Sequence, residues 1–105
     1  MKRKIIINKK EFTMPKMSID TYQEYLELTE QIDEHTRYTK QDIEAMELFV
    51  CKAYGDKFTT EELKNPETGI DAAGLILEFQ FIDMEIGNEL ARRMEKIEKN
   101  FQNGK

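Results

Sequence analysis

The chain has 105 residues, of which 39% are hydrophobic and 35% are charged, with five glycines and two prolines. The apolar content is too high for a disordered segment, and the charge content is too high for a membrane-embedded chain. The length fits one domain. We therefore expect a single domain over 1–105 that folds in water, with a basic hairpin at 1–16 and a helical body at 17–105.

The charges are unevenly distributed along the chain, whose total net charge is −5. Residues 1–16 carry a net charge of +5, residues 17–91 carry −13 and residues 92–105 carry +3. An acidic body repels nucleic-acid phosphates. The basic ends could either fold back on that body or contact a partner.

Cysteine content and hydropathy indicate the compartment. Cys51 is the only cysteine, which excludes an internal disulfide and favours a reducing, cytoplasmic environment. The apolar run that follows the basic start ends at Asn8, so we expect no cleaved leader. The apolar stretch from Leu75 to Ile86 is interrupted by acidic residues, so we expect no membrane span.

The first predicted element is a β-hairpin. Residues 4–7 form a β-branched run without helical period, and a second short run follows the polar residues 8–10. Pro15 cannot donate a hydrogen bond to a ladder, so it should lie at the exit of the hairpin.

A first helix is predicted from Ser18 to about His35. Ser18 is a suitable N-cap, and Met17 and Tyr22 are spaced as a hydrophobic staple. Most of the apolar side chains fall on one stripe, which predicts one buried face; they are Ile19, Tyr22, Tyr25, Leu26, Leu28 and Ile32.

Two further helices are predicted from their caps. Thr39 and Asp42 have the spacing of a capping box, and Gly55 is a natural left-handed residue after the C-terminus of this second helix. Thr59 and Glu62 repeat the capping box, and the short helix that they open should end before Pro66. The side chains expected to point inward from the second helix are Ile43, Met46, Phe49, Val50 and Ala53.

The last predicted helix runs from about Ile70 to Phe101. Its first half is apolar nearly all round, and we expect it to be the central element of the core. Its length of about 48 Å exceeds the diameter of a compact domain of this size, roughly 34 Å. The helix should therefore overhang the body, unless it bends or crosses another element closely at Gly87.

The second half of this helix has a narrow apolar stripe that needs a cover. Met94, Ile97 and Phe101 could pack back on the first or second helix, against a second copy of the chain, or against a different protein. The fold class expected overall is mainly α (α+β), with an N-terminal hairpin, three main helices and one short helix.

The sequence offers little for catalysis. His35 is the only histidine, it lies at a polar helix end, and Cys51 has no histidine at a suggestive spacing. We expect no enzymatic activity, no cofactor and no bound metal. Gly55 separates two helices as in a helix-turn-helix, but the second helix is short and acidic, which disfavours DNA binding.

Residues 46–63, MELFVCKAYGDKFTTEEL, carry a family resemblance. With the basic β segment before them and the apolar helix after them, they resemble the tail assembly chaperones of long-tailed phages and of prophages in Gram-positive bacteria. These proteins commonly show an aromatic-Gly-x-x-Phe-Thr turn, a short acidic helix and then an apolar helix.

The resemblance implies a cytoplasmic assembly factor that is not retained in the virion. It would bind the tape measure protein, keep it soluble and promote polymerisation of the tail tube, and a longer frameshifted form could recruit the tail tube protein. Under this interpretation, contacts to the client or to a second copy would involve Met84, Met94, Ile97 and Phe101. The alternatives are a homo-oligomeric tail structural or completion protein, and a small DNA-binding regulator.

Overall fold

The computed structural model describes residues 3–34 and 36–103, with side chains as far as residue 100. His35 therefore lies outside the described residues. In chain order the elements are β1 (Lys4–Ile7), β2 (Lys10–Thr13), α1 (Ile19–Asp33), α2 (Lys40–Ala53), α3 (Thr60–Lys64) and α4 (Ala72–Asn103). The predicted mainly helical fold with an N-terminal hairpin and a long C-terminal helix is confirmed.

β1 and β2 form an antiparallel hairpin in which Ile5 pairs with Phe12 and Ile7 pairs with Lys10. Asn8 and Lys9 both have positive φ, 53° and 65°, as a two-residue turn between twisted strands requires. Side chains alternate along β1, so that Ile5 and Ile7 are buried while the residue between them is exposed. The backbone N–H of Asn8 donates to the Thr68 carbonyl at 2.6 Å, which ties the hairpin tip to the α3–α4 connection.

The predicted helix caps are all present. The Ser18 hydroxyl accepts a hydrogen bond from the backbone of Thr21, and the capping boxes of α2 and α3 are complete. Gly55, at φ 81°, takes the left-handed conformation after α2. The helices therefore begin where local sequence chemistry places them, whereas α1 ends at Asp33, two residues before the predicted end.

The core is built around α2 rather than around the first half of α4. Five hydrophobic side chains of α2 and its C-cap are no more than 3% exposed: Met46, Phe49, Val50, Ala53 and Tyr54. α4 adds Leu75, Phe79 and Ile82 to this core, but Leu77, Phe81 and Met84 are exposed. The prediction that the first half of α4 is the central element was wrong because only one side of that half has neighbouring elements.

The predicted stripe of α1 is also narrower than expected. Leu28 is buried, but Ile19 is 77% exposed and Leu26 is 45% exposed. The polar Thr21 is buried instead, and its hydroxyl lies 3.0 Å from the Ser18 hydroxyl.

The α3–α4 connection contains a close backbone approach. Gly69 donates to the Asn65 carbonyl at 2.7 Å, and Ile70 donates to the Leu63 carbonyl at 2.8 Å. A Cβ atom on Gly69 would lie 1.8 Å from the Leu63 carbonyl oxygen. The turn therefore has no room for a side chain at this position.

α4 projects beyond the rest of the chain, as its predicted length required. The described residues extend over 57 × 34 × 22 Å, and residues 91–100 are all exposed. Gly87 lies inside the continuous helix, and a Cβ atom there would meet nothing within 4 Å. Gly87 therefore marks no close helix crossing.

Candidate partner-binding surface

The projecting part of α4 carries a row of uncovered apolar side chains, which we call the overhang stripe: Leu90, Met94 and Ile97. These side chains are 53%, 61% and 65% exposed, respectively. Their spacing of four and three residues places them on one face of the helix. The same face, about three turns earlier, includes Phe79, which is only 6% exposed in the core. The overhang stripe is thus a core-forming face that continues past the end of the core.

A groove lies beside the start of the overhang stripe. This α1–α4 groove has a volume of about 570 Å³ and is formed between residues 14–19 with Tyr22 on one side and residues 85–93 of α4 on the other. Ile86 and Leu90 line its floor from α4, and Met14, Met17 and Ile19 line the other wall. Because Leu90 belongs to both, the groove and the stripe form one continuous apolar surface.

Charged side chains border this surface. Glu89 accepts hydrogen bonds from Arg92 and from Arg93, the latter at 2.9 Å. Both guanidinium groups lower the pKa of the Glu89 carboxyl, and Arg92 has the larger effect. The carboxyl is therefore ionised at neutral pH. The surface therefore has an apolar centre and an ionised rim, which is the common arrangement of protein interfaces.

A second exposed apolar cluster, the outer patch, lies on another side of α4. It consists of Leu77, Phe81 and Met84, which are 50%, 42% and 58% exposed. At 3.6 residues per turn, Met84 lies about 140° around the helix axis from Ile97. The Arg3 guanidinium stacks over the Phe81 ring at 4.7 Å from the ring centre and covers part of this patch.

The four residues predicted to contact a partner do not form one surface. Met94 and Ile97 lie together on the overhang stripe, whereas Met84 lies on the outer patch. Phe101 lies on α4, but its side chain is outside the described residues. Met94 and Ile97 are exposed, which contradicts the alternative that they pack back on α1 or α2.

The groove wall was not predicted from the sequence. The sequence pattern predicts a local staple for Met17 and Tyr22 and a buried position for Ile19, yet all three line the α1–α4 groove. Leu90 is not among the contact residues predicted from the sequence. Its 4-residue spacing to Ile86 and Met94 was the available signal.

A buried ionic cluster holds α4 to the hairpin and to α2. Arg3 donates to Glu78 Oε1 at 2.7 Å, and the Tyr54 hydroxyl donates to Glu78 Oε2 at 2.8 Å. Glu78 and Tyr54 are 6% and 0% exposed, and burial raises the pKa of Tyr54 well above its ordinary value. The cluster is fully hydrogen-bonded and fixes the direction in which α4 leaves the core.

The described residues offer few groups for chemistry. Cys51 is buried, and burial raises the pKa of its thiol to about 11. Within residues 3–34 and 36–103 there is no group of three His, Cys, Asp or Glu side chains that could hold a metal ion. In the same part of the chain, no helix has the length and hydropathy needed to cross a membrane.

The described residues thus form a small, mainly helical protein with an uncovered apolar helix face. A family model described as phage tail chaperone protein matches residues 1–105. The chain belongs to this family of phage tail chaperones, and the resemblance seen in residues 46–63 is confirmed. No curated protein and no solved structure matches the chain significantly.

Proposed function

We propose that this tail chaperone binds the tape measure protein, keeps it soluble and promotes polymerisation of the tail tube around it. Membership of the phage tail chaperone family supports a role in tail assembly. The observation that carries the finer proposal is the overhang stripe, whose three side chains are each more than half exposed.

The stripe suits a long helical client. A tape measure protein exposes apolar helical faces before the tube covers them, and such a face can pack along a second apolar helix face. Met94 can adapt to different client segments because its side chain is unbranched and flexible. The net charge of −13 over residues 17–91 would keep the complex in solution by repulsion between complexes.

We assign the client contacts to Met94 and Ile97 of the overhang stripe and to Phe101 further along α4, with Met84 on the outer patch as a second contact. A client helix that follows the stripe would continue into the α1–α4 groove. We further propose that the protein acts in the host cytoplasm, that it leaves before the virion is complete, and that a longer frameshifted form recruits the tail tube protein.

A triple serine variant tests the assigned contacts. Met94, Ile97 and Phe101 are replaced by Ser, and the protein is co-expressed with the tape measure protein. We expect the client to move from the soluble to the insoluble fraction, because its apolar faces lose their cover. The matched control replaces Ile6 and Leu48, each 64% exposed, by Ser and should keep the client soluble. Equal loss of solubility with both variants would contradict the assignment.

A homo-oligomeric tail structural or completion protein is the alternative. The same uncovered stripe favours it, since copies of the chain could cover one another in a ring. Such a component would remain in purified particles, whereas a chaperone would be absent from them. A DNA-binding regulator has less support, because α3 has only five residues and two of these are acidic.

A further inference from the structure

We infer that, in the absence of a client, two copies of this chain pair antiparallel through α4, so that the overhang of each copy fills the α1–α4 groove of the other. The inference is independent of the client, because it concerns the protein alone. In this pair, a second copy of the chain covers both the groove and the overhang stripe.

The first argument is that the overhang is long enough to fill the groove. Residues 91–103 of α4 extend about 20 Å, and the groove runs along residues 85–93, about 13 Å of helix. An antiparallel pair centred at Arg92 places residues 91–99 of the second copy along this groove. The same rotation places the overhang of the first copy in the groove of the second, so both uncovered surfaces are covered at once.

The second argument is the match of apolar positions in this register. Leu90 lies level with Met94 of the second copy, and Ile86 lies within one residue, about 1.5 Å along the axis, of Ile97 of the second copy. Every member of the overhang stripe then has an apolar partner, and the wall formed by Met17 and Tyr22 covers the remaining side. Burial of such side chains is the main driving force for association.

The third argument is charge. The overhang is basic, with a net charge of +3 over residues 92–105, and it would lie against a body with a net charge of −13. Glu89 and Lys96 are seven residues apart, so they lie on the same side of the stripe, within about 20° around the axis. An antiparallel twofold pair brings Glu89 within one residue, about 1.5 Å along the axis, of Lys96 of the second copy, and does so twice. Among the described residues Lys96 forms no ion pair within its own chain.

A twofold pair closes at two copies, because each copy uses the same surface. It therefore differs from a ring, which needs two different surfaces on each copy. The pair is compatible with the chaperone proposal, since a client helix and a second copy would compete for the same stripe.

The test is sedimentation equilibrium of the full chain with charge-reversal variants. We expect wild-type protein to show a monomer–dimer equilibrium. Glu89→Lys and Lys96→Glu should each weaken it at least fivefold, because each variant places two pairs of like charges together. An equimolar mixture of the two variants should associate within twofold of wild type, because the mixed dimer restores both opposite-charge pairs.

Lys99→Glu is the matched control, since Lys99 carries the same charge on the opposite side of α4. It should change the dissociation constant less than twofold. A wild-type chain that stays monomeric to millimolar concentration, a mixture that does not recover, or a species larger than a dimer would each overturn the inference. Client solubility retained in any of these cases would leave the proposed function standing.

Discussion

At the scale of single residues, Glu78 is the charge on which the attachment of the hairpin depends. Its carboxylate is buried, and it accepts hydrogen bonds from Arg3 and Tyr54. A buried carboxylate without its cation is costly, whereas an exposed ion pair contributes little. Arg3 and the neighbouring Lys4, which pairs with Glu11 on the surface, therefore differ in importance.

We predict that Arg3→Met lowers the free energy of unfolding by about 1–3 kcal/mol, because Glu78 keeps only the Tyr54 hydroxyl as a partner. Lys4→Met is the control, and its effect should stay within about 0.5 kcal/mol because both charges of its pair are exposed. Urea unfolding followed by circular dichroism measures both values. Equal effects of the two variants would show that the buried cluster does not contribute as described.

The Cys51 thiol should be protected in the folded protein. Burial raises its pKa from the ordinary value of 9.0 to about 11. Because the folded pKa lies above the unfolded one, the associated stability is complete below pH 9 and is lost as the pH rises through 11. At pH 8 we expect reaction with a disulfide reagent to be about 100-fold slower in buffer than in guanidinium. A native rate within tenfold of the unfolded rate would contradict this burial.

At the scale of elements, the two capping boxes have the same sequence pattern but different surroundings. Asp42 is fully buried, and it accepts hydrogen bonds from the Thr39 backbone at 2.8 Å and from Gln31 at 2.7 Å. Among the described residues, Glu62 accepts hydrogen bonds from Thr59 alone, on the surface. One box therefore joins α2 to α1, whereas the other closes a single short helix.

We predict that Asp42→Ala costs about 2–3 kcal/mol of stability and Glu62→Ala about 0.5–1 kcal/mol. The larger value reflects the loss of the cap together with an unpaired Gln31 amide. Thermal and urea unfolding of the two variants give the comparison. If Glu62→Ala were the more damaging change, the burial of Asp42 would not explain the energetics of the caps.

Replacing each of two glycines by alanine should change the stability in opposite directions. Gly87→Ala should stabilise the protein by about 0.5–1 kcal/mol, because alanine favours a helix interior and meets no neighbour there. Gly69→Ala should destabilise it by several kcal/mol, because the new Cβ atom would overlap the Leu63 carbonyl and force the turn to open. Melting temperatures of the two variants should therefore move in opposite directions, and a shift in the same direction would contradict the described turn.

The sequence predicted where helices and strands begin and end better than it predicted which of their sides are exposed, and the difference has a physical reason. Caps such as Thr39 and Thr59 act within three residues, so their signals are complete in the local sequence. The exposure of Leu77 or Ile19 depends on whether another element lies opposite, which no local pattern specifies. The groove was not predicted for the same reason, because about 70 residues separate its two walls in the sequence.

At the scale of the whole molecule, α4 has two separate roles. Its first half contributes to the core, and its projecting half carries the overhang stripe. Replacing Met94 and Ile97 by Ser should shift the melting temperature of the dilute, monomeric chain by less than about 3 °C, because both side chains are exposed in the single chain. Phe79→Ser, at a position 6% exposed on the same face, should lower it by more than 10 °C. A large shift in the first variant would show that the stripe is covered within its own chain.

The most direct test of the account is co-expression with the tape measure protein, followed by a solubility assay and a pull-down. We predict that the client becomes soluble and co-purifies with the wild-type chain, and that it is lost with the triple serine variant of Met94, Ile97 and Phe101. A client that stays insoluble with the wild-type chain, or that binds the variant equally well, would contradict the central claim.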